Sequence, residues 1–134
     1  HAPAPTPPRE MTKTDARVFD ASTMLVNIGG DVELFDQLIR LFLERHRIMV
    51  QEIEAAIKQA DGVALERAAH SLKGTAGNLC APEVVLLASQ LEANGRLGTL
   101  AEARTLFAQL EHTVQQLIVV LERQITPADP TEPR

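Results

Sequence analysis

Between residues 9 and 126 the chain carries a single proline, Pro82, while the other seven lie in the terminal stretches HAPAPTPPRE and TPADPTEPR. Proline removes a backbone donor and collides with the preceding helical turn, so an interior almost free of it is open to helix formation. Clustered at the two ends, it favours extended backbone there. The interior punctuation is glycine instead: Gly29-Gly30, Asp61-Gly62 and Asn94-Gly95-Arg96-Leu97-Gly98 separate segments whose apolar residues recur at helical spacing. Aromatic residues make up 3% of the chain, with no Trp or Tyr, so a core must be built from Leu, Ile, Val and Ala. That composition suits packed helices better than a sheet. An apolar share of 45% over 134 residues is enough for one core without staples.

These signals predict a short helix over residues 20–28, capped by Asp20 and stopped by Gly29. A second helix opens at Asp31 and runs to Ala60, about 45 Å at the standard rise. It turns Leu34, Leu38, Leu41, Phe42, Met49, Ile53 and Ile57 inward. A third spans residues 62–79, and a fourth starts at Pro82, a favourable first-turn residue, and stops at Asn94-Gly95. The fifth opens on the capping box Thr99-Leu100-Ala101-Glu102 and ends near Gln124, with Leu106, Leu110, Val114, Leu117, Ile118 and Leu121 inward. Short connections make successive helices antiparallel, so the expected fold is an all-α, up-down helical bundle. The expected division is a proline-rich linker over residues 1–17, a helical domain over 18–125 and a proline-rich tail over 126–134.

Charge and cysteine content narrow the function classes. Thirteen Lys and Arg are scattered among eighteen acids, for a net charge of -5, and no basic block offers a footprint for nucleic acid. No apolar run approaches the roughly 20 residues that span a bilayer, so no membrane insertion is expected. Cys80 is the only cysteine, which excludes an internal disulfide and fits a reducing, cytoplasmic setting where it packs as a small apolar residue. His46 and His112 have no acidic or Cys companions at metal spacing and read as ordinary polar positions. The start at His1 and the proline-rich stretches at both ends read either as a domain tethered within a longer polypeptide or as a free-standing one with disordered tails.

One stretch departs from good helix sequence: His70-Ser71-Leu72-Lys73-Gly74-Thr75-Ala76-Gly77-Asn78 places two glycines inside the third helix. Together they cost about 2 kcal/mol of helix propensity relative to Ala. On a helical wheel Leu65, Ala68, Leu72, Ala76 and Leu79 share one side, while Val63, Glu66, Lys73, Gly74 and Gly77 surround His70 on the other. The histidine therefore points outward. Lys73, Gly74 and Gly77 are its neighbours at i+3, i+4 and i+7, so the glycines strip side chains from beside the ring and leave one ammonium in reach. A large partner could dock its own active site on such a surface.

An unperturbed imidazole titrates near pH 6.5, so at neutral pH one ring nitrogen offers a lone pair to an electrophilic phosphorus. A lysine one turn away would offset the charge of the phosphoryl oxygens. No Gly-rich loop for a nucleotide and no carboxylate cluster for Mg²⁺ accompanies them in the sequence, so the segment reads as a carrier of phosphoryl groups rather than an enzyme with its own ATP site. The bland alternatives are a surface histidine of no consequence, a solvated lysine near Glu66, and a Gly77 that merely lets two helices approach.

The segment Ala69-His70-Ser71-Leu72-Lys73-Gly74-Thr75-Ala76-Gly77-Asn78-Leu79 resembles the phosphorylation motif of histidine-containing phosphotransfer (HPt) domains, H-x-L-K-G followed after four residues by Leu-Gly. His70, Leu72, Lys73, Gly74 and Leu79 match; the glycine after the second leucine is Cys80 here. A looser likeness extends over about residues 18–125, through Asn27-Ile28-Gly29-Gly30-Asp31 and Gln90-Leu91-Glu92. The resemblance implies a monomeric, antiparallel up-down four-helix bundle with an additional short N-terminal helix. It implies His70 as phosphoacceptor, Lys73 as charge partner and Gly74 as the clearance residue, with Glu92 near the imidazole. Val63, Glu66, Arg67, Gly74, Gly77 and Glu92 would form the docking face for response-regulator receiver domains, which supply the Mg²⁺. The parent would be a hybrid sensor histidine kinase phosphorelay. Two other readings stand beside it. One is the dimerisation and phosphoacceptor domain of a histidine kinase, disfavoured because His70 is followed by Ser71 rather than an acid. The other is a helical scaffold that carries no phosphate.

Overall fold

A computed structural model describes residues 11–125, all helical apart from short connections. Six helices follow in order: α1 (Lys13–Val18), α2 (Ala21–Asn27), α3 (Val32–Lys58), α4 (Gly62–Leu79), α5 (Pro82–Leu97) and α6 (Leu100–Gln124). Helices α3 to α6 form an antiparallel up-down bundle joined by residues 59–61, 80–81 and 98–99. Helix α4 packs most extensively on α5 and also on α3, while α6 closes the bundle against α5 and α3. Helix α2 rests on α3 and α4, and α1 on α5 and α6.

Three helices start the same way. Asp20, Asp31 and Asp61 each accept a hydrogen bond from the backbone amide three residues on, from Thr23, Leu34 and Ala64 at 3.0 to 3.1 Å. Each bond satisfies an amide that the first turn leaves without a partner. Pro82 occupies the first turn of α5, as predicted.

Several expectations need correction. Lys13–Val18 is a helix where a linker was expected; the remaining residues of the linker, 1–10, and the tail, 126–134, lie outside the described residues. Helix α1 is held by a capping box, Asp15 N–H to the Thr12 hydroxyl at 3.0 Å and Thr12 N–H to the Asp15 carboxylate at 3.1 Å. Arg123 of α6 then pairs with Asp15 at 3.2 Å, and Val18 and Phe19 are buried. On the first turns of α3 the inward face is rotated from the expected stripe: Phe35 and Ile39 are buried, Leu34 and Leu38 half-buried, and Leu41 is 47% exposed, while Phe42, Met49, Ile53 and Ile57 are buried as expected. The cause is α2, whose flanking Phe19 ring stacks obliquely on Phe35 with centroids 6.1 Å apart.

Helix α5 does not stop at Asn94-Gly95 but continues to Leu97, and Gly98 at φ 77° closes it with the Thr99 amide bonded back to the Asn94 carbonyl. The expected capping box at Thr99 is not made, because its hydroxyl donates to Asn94 Oδ1 at 2.6 Å instead of receiving the amide of its own helix. Helix α6 otherwise follows its pattern: Leu110, Val114, Leu117 and Leu121 are buried, with Leu106 and Ile118 at the margin.

Candidate functional site

The site is built on the facing sides of α4 and α5. Leu65, Ala69, Leu72, Ala76 and Leu79 of α4 are buried, and Ala68 is half-buried. Burial of Ala69 and Leu72 fixes the rotation of α4, so His70 and Lys73 emerge at the edge of the contact with α5. Truncating a buried leucine such as Leu72 costs about 2 to 5 kcal/mol, which makes this rotation hard to change. Leu91 anchors α5 in the same way and places Glu92 opposite.

Glu92 joins the two motif residues. Its Oε2 lies 2.7 Å from His70 Nδ1, and its Oε1 accepts from Lys73 Nζ at 2.6 Å. The carboxyl is held below its ordinary value, chiefly by the Lys73 hydrogen bond and further by the bond to His70, against an opposing push from partial burial. An ionised carboxylate can only accept, so in the neutral ring Nδ1 carries the proton and Nε2 holds the lone pair. The imidazole itself is 68% exposed, whereas the Glu92 side chain is 14% exposed. An accessible ring is thus oriented by a carboxylate seated in the helix–helix seam.

The glycines of the motif meet nothing. A Cβ built on Gly74 or on Gly77 would have no heavy atom within 4 Å, so neither glycine is required by packing within the chain. The reading of Gly77 as a helix-approach residue falls with that observation. Val63 and Arg67 are exposed on the same side, Val63 at 61%, and Glu66 is half-buried. Glu66 does not pair with Lys73; it faces Arg96 of α5 at 3.7 Å.

Two close-packing residues escaped the sequence reading. Gly62 and Gly95 appear there as helix punctuation, yet a Cβ on Gly62 would stand 2.6 Å from the Gly95 carbonyl oxygen. This backbone contact lies two helical turns before His70 and one turn after Glu92, and it sets how near the two can come. The available signal was that helical sequence continues past each of them, Val63-Ala64-Leu65 after Gly62 and Arg96-Leu97 after Gly95. Cys80, where the motif has glycine, does adopt the left-handed conformation at φ 61°, ψ 52° that glycine tolerates best. Cys80 N–H bonds to the Gly77 carbonyl at 3.1 Å and Ala81 N–H to that of Ala76 at 2.9 Å, a Schellman closure. The departure therefore changes a side chain and leaves the helix end intact. The Asn27 amide contacts its sulfur at 3.6 Å, and burial pushes the thiol up, away from reactivity.

The fold and this site define a helical bundle that presents an oriented, accessible histidine on one face. The chain belongs to the Hpt domain family, whose pattern matches residues 37–119, more than half of the chain. Comparison with curated proteins and with solved structures found no match. Hpt domains serve histidine phosphotransfer in two-component signalling as carriers that work with receiver domains and kinases. No helix among the described residues is long and apolar enough to cross a membrane.

Proposed function

We propose that this domain is a phosphorelay intermediate in which His70 accepts a phosphoryl group from the aspartyl phosphate of one receiver domain and passes it to the aspartate of another. The observation that carries the reading is the bond from His70 Nδ1 to Glu92, which leaves the Nε2 lone pair available on an exposed ring. Attack by Nε2 forms the P–N bond as the P–O bond to the aspartyl carboxylate breaks, and the electron pair leaves with that carboxylate. Lys73 spends one of its three donors on Glu92 and has two for phosphoryl oxygens. The bare backbone at Gly74 and Gly77 gives the receiver's active site room to approach the ring, with Val63, Glu66 and Arg67 on the same docking face. In this reading Mg²⁺ is bound by the receiver, and the domain acts as a monomer in the cytoplasm, within or beside a sensor histidine kinase.

The test is incubation with phosphorylated receiver domains, comparing the native chain with His70→Gln for acid-labile, base-stable phosphate. Label on the native protein alone is the expected result, with nearly equal melting temperatures because the ring is mostly exposed. Label retained by His70→Gln would remove the assignment. Absence of label with every receiver, while both proteins stay folded, would favour a scaffold.

A further inference from the structure

We propose that Glu92 sets the transfer potential of the phosphorylated His70 by keeping the Nδ1 proton on the ring after the phosphoryl group is attached to Nε2. The inference rests on the carrier reading above and concerns the state that follows acceptance. When Nε2 gives its lone pair to phosphorus and Nδ1 keeps its hydrogen, the ring becomes a phosphoimidazolium. Cleavage of its P–N bond returns the electron pair to Nε2 and releases neutral imidazole, a good leaving group. If Nδ1 instead loses its proton, cleavage must expel an imidazolate, and the phosphoryl group is stored rather than passed on.

Which of the two forms prevails depends on what faces Nδ1. Here it is a carboxylate oxygen at 2.7 Å, and a hydrogen bond to an anion is roughly twice as strong as one to a neutral acceptor. The same carboxylate could in principle remove the proton. Lys73 opposes that, since its ammonium 2.6 Å from Oε1 stabilises the ionised form and makes Glu92 a weak base. Glu92 therefore attracts the proton without taking it. Among the other charges around the ring, Arg67 stands exposed one turn before His70 on α4 and would oppose a positive ring, in the native chain and in Glu92→Gln alike. Glu66 and Arg96 face each other at 3.7 Å. Arg45 and Glu52 of α3 lie across a groove edged by Ser71 and Thr75. Glu102 of α6 lies on the flank of α5 by Gln90 and Ala93. Glu92 is a positioning residue in this scheme, and its effect reaches phosphorus through the imidazole.

The experiment is to phosphorylate the native chain, Glu92→Gln and His70→Gln with phosphoramidate, a small donor that needs no receiver, and to follow loss of phosphohistidine across pH 5 to 9. Glutamine keeps the shape and an acceptor oxygen but removes the charge. Above the midpoint of the lability profile, Glu92→Gln should retain its phosphoryl group roughly tenfold longer, with the midpoint about one pH unit lower, as expected when a charged acceptor is replaced by a neutral one. A purely structural role would not move that midpoint. Coincident profiles would overturn the inference and leave the carrier reading standing. No label on the native chain, or equal label on His70→Gln, would overturn the carrier reading and the inference with it.

Discussion

Gly62 of α4 and Gly95 of α5 are in backbone contact: a Cβ on Gly95 would stand 2.7 Å from the Gly62 carbonyl oxygen and 2.6 Å from the Glu66 amide nitrogen. Since Glu92 lies one turn from Gly95 on the same helix, this crossing and the bridge to His70 and Lys73 are parts of one geometry.

Gly95→Ala should therefore destabilise the domain even though alanine is the better helix former. The propensity gain is about 1 kcal/mol, while overpacking against backbone that has no rotamer to change costs about 1 to 3 kcal/mol. Denaturant unfolding should show a net loss, and phosphoryl acceptance should fall as Glu92 is carried away from His70. A stabilised variant with native acceptance would show that the crossing has slack.

The opposite sign is expected at Gly74 and Gly77, where an added Cβ meets open space. Alanine at either should raise stability by about 1 kcal/mol. For Gly74→Ala, and more so for a bulky residue there, transfer from a receiver should slow while reaction with phosphoramidate is less affected. Transfer at the native rate would contradict the clearance role.

Ala60 ends α3 in the left-handed region at φ 54°, and its position is exposed. A non-glycine residue there bears a strain of roughly 1 to 2 kcal/mol, so Ala60→Gly should stabilise by about 1 kcal/mol. Cys80→Gly relieves the same strain but loses the sulfur contact with Asn27, so its gain should be smaller. Calorimetric melting of the two variants checks the order.

Glu92 links stability to pH with a definite sign. Its folded-state pKa lies below the ordinary 4.5, so the carboxylate contributes stability that is present above about pH 4.5 and is lost as pH falls through the lower, folded-state value. Unfolding followed from pH 6 down to 2 should show a shallower acid limb for Glu92→Gln. Lys73→Ala removes the largest cause of the shift and should flatten that limb too, while slowing but not preventing transfer. An acid limb identical to the native one in both variants would mean that the bridge contributes nothing in solution.

Much of the site was legible in the chain because it is local. His70, Lys73, Gly74 and Gly77 share a face through helical periodicity alone, and the structure leaves that face open as the wheel predicts. Asp20, Asp31 and Asp61 were readable as caps for the same reason, since a cap acts over three residues. Helix α1 was missed because its anchor is distant: Asp15 meets Arg123 across most of the sequence, and only Thr12-Lys13-Thr14-Asp15 hinted at a helix start.

What the sequence by itself determined is the set of helices, apart from α1 and the exact end of α5, together with the exposed histidine face. These follow from short-range rules of periodicity, capping and backbone freedom. What only the tertiary structure decided is how the helices meet. Phe35 turned inward to meet Phe19, and Gly95 became a crossing point instead of a stop. Above all, Glu92 was brought from another helix to hold Nδ1 of His70 and Nζ of Lys73. A one-dimensional pattern tells which face of a helix is polar; which polar group stands opposite depends on the distance and rotation of the neighbouring helix, and here two glycines and the buried leucines beside the site set both.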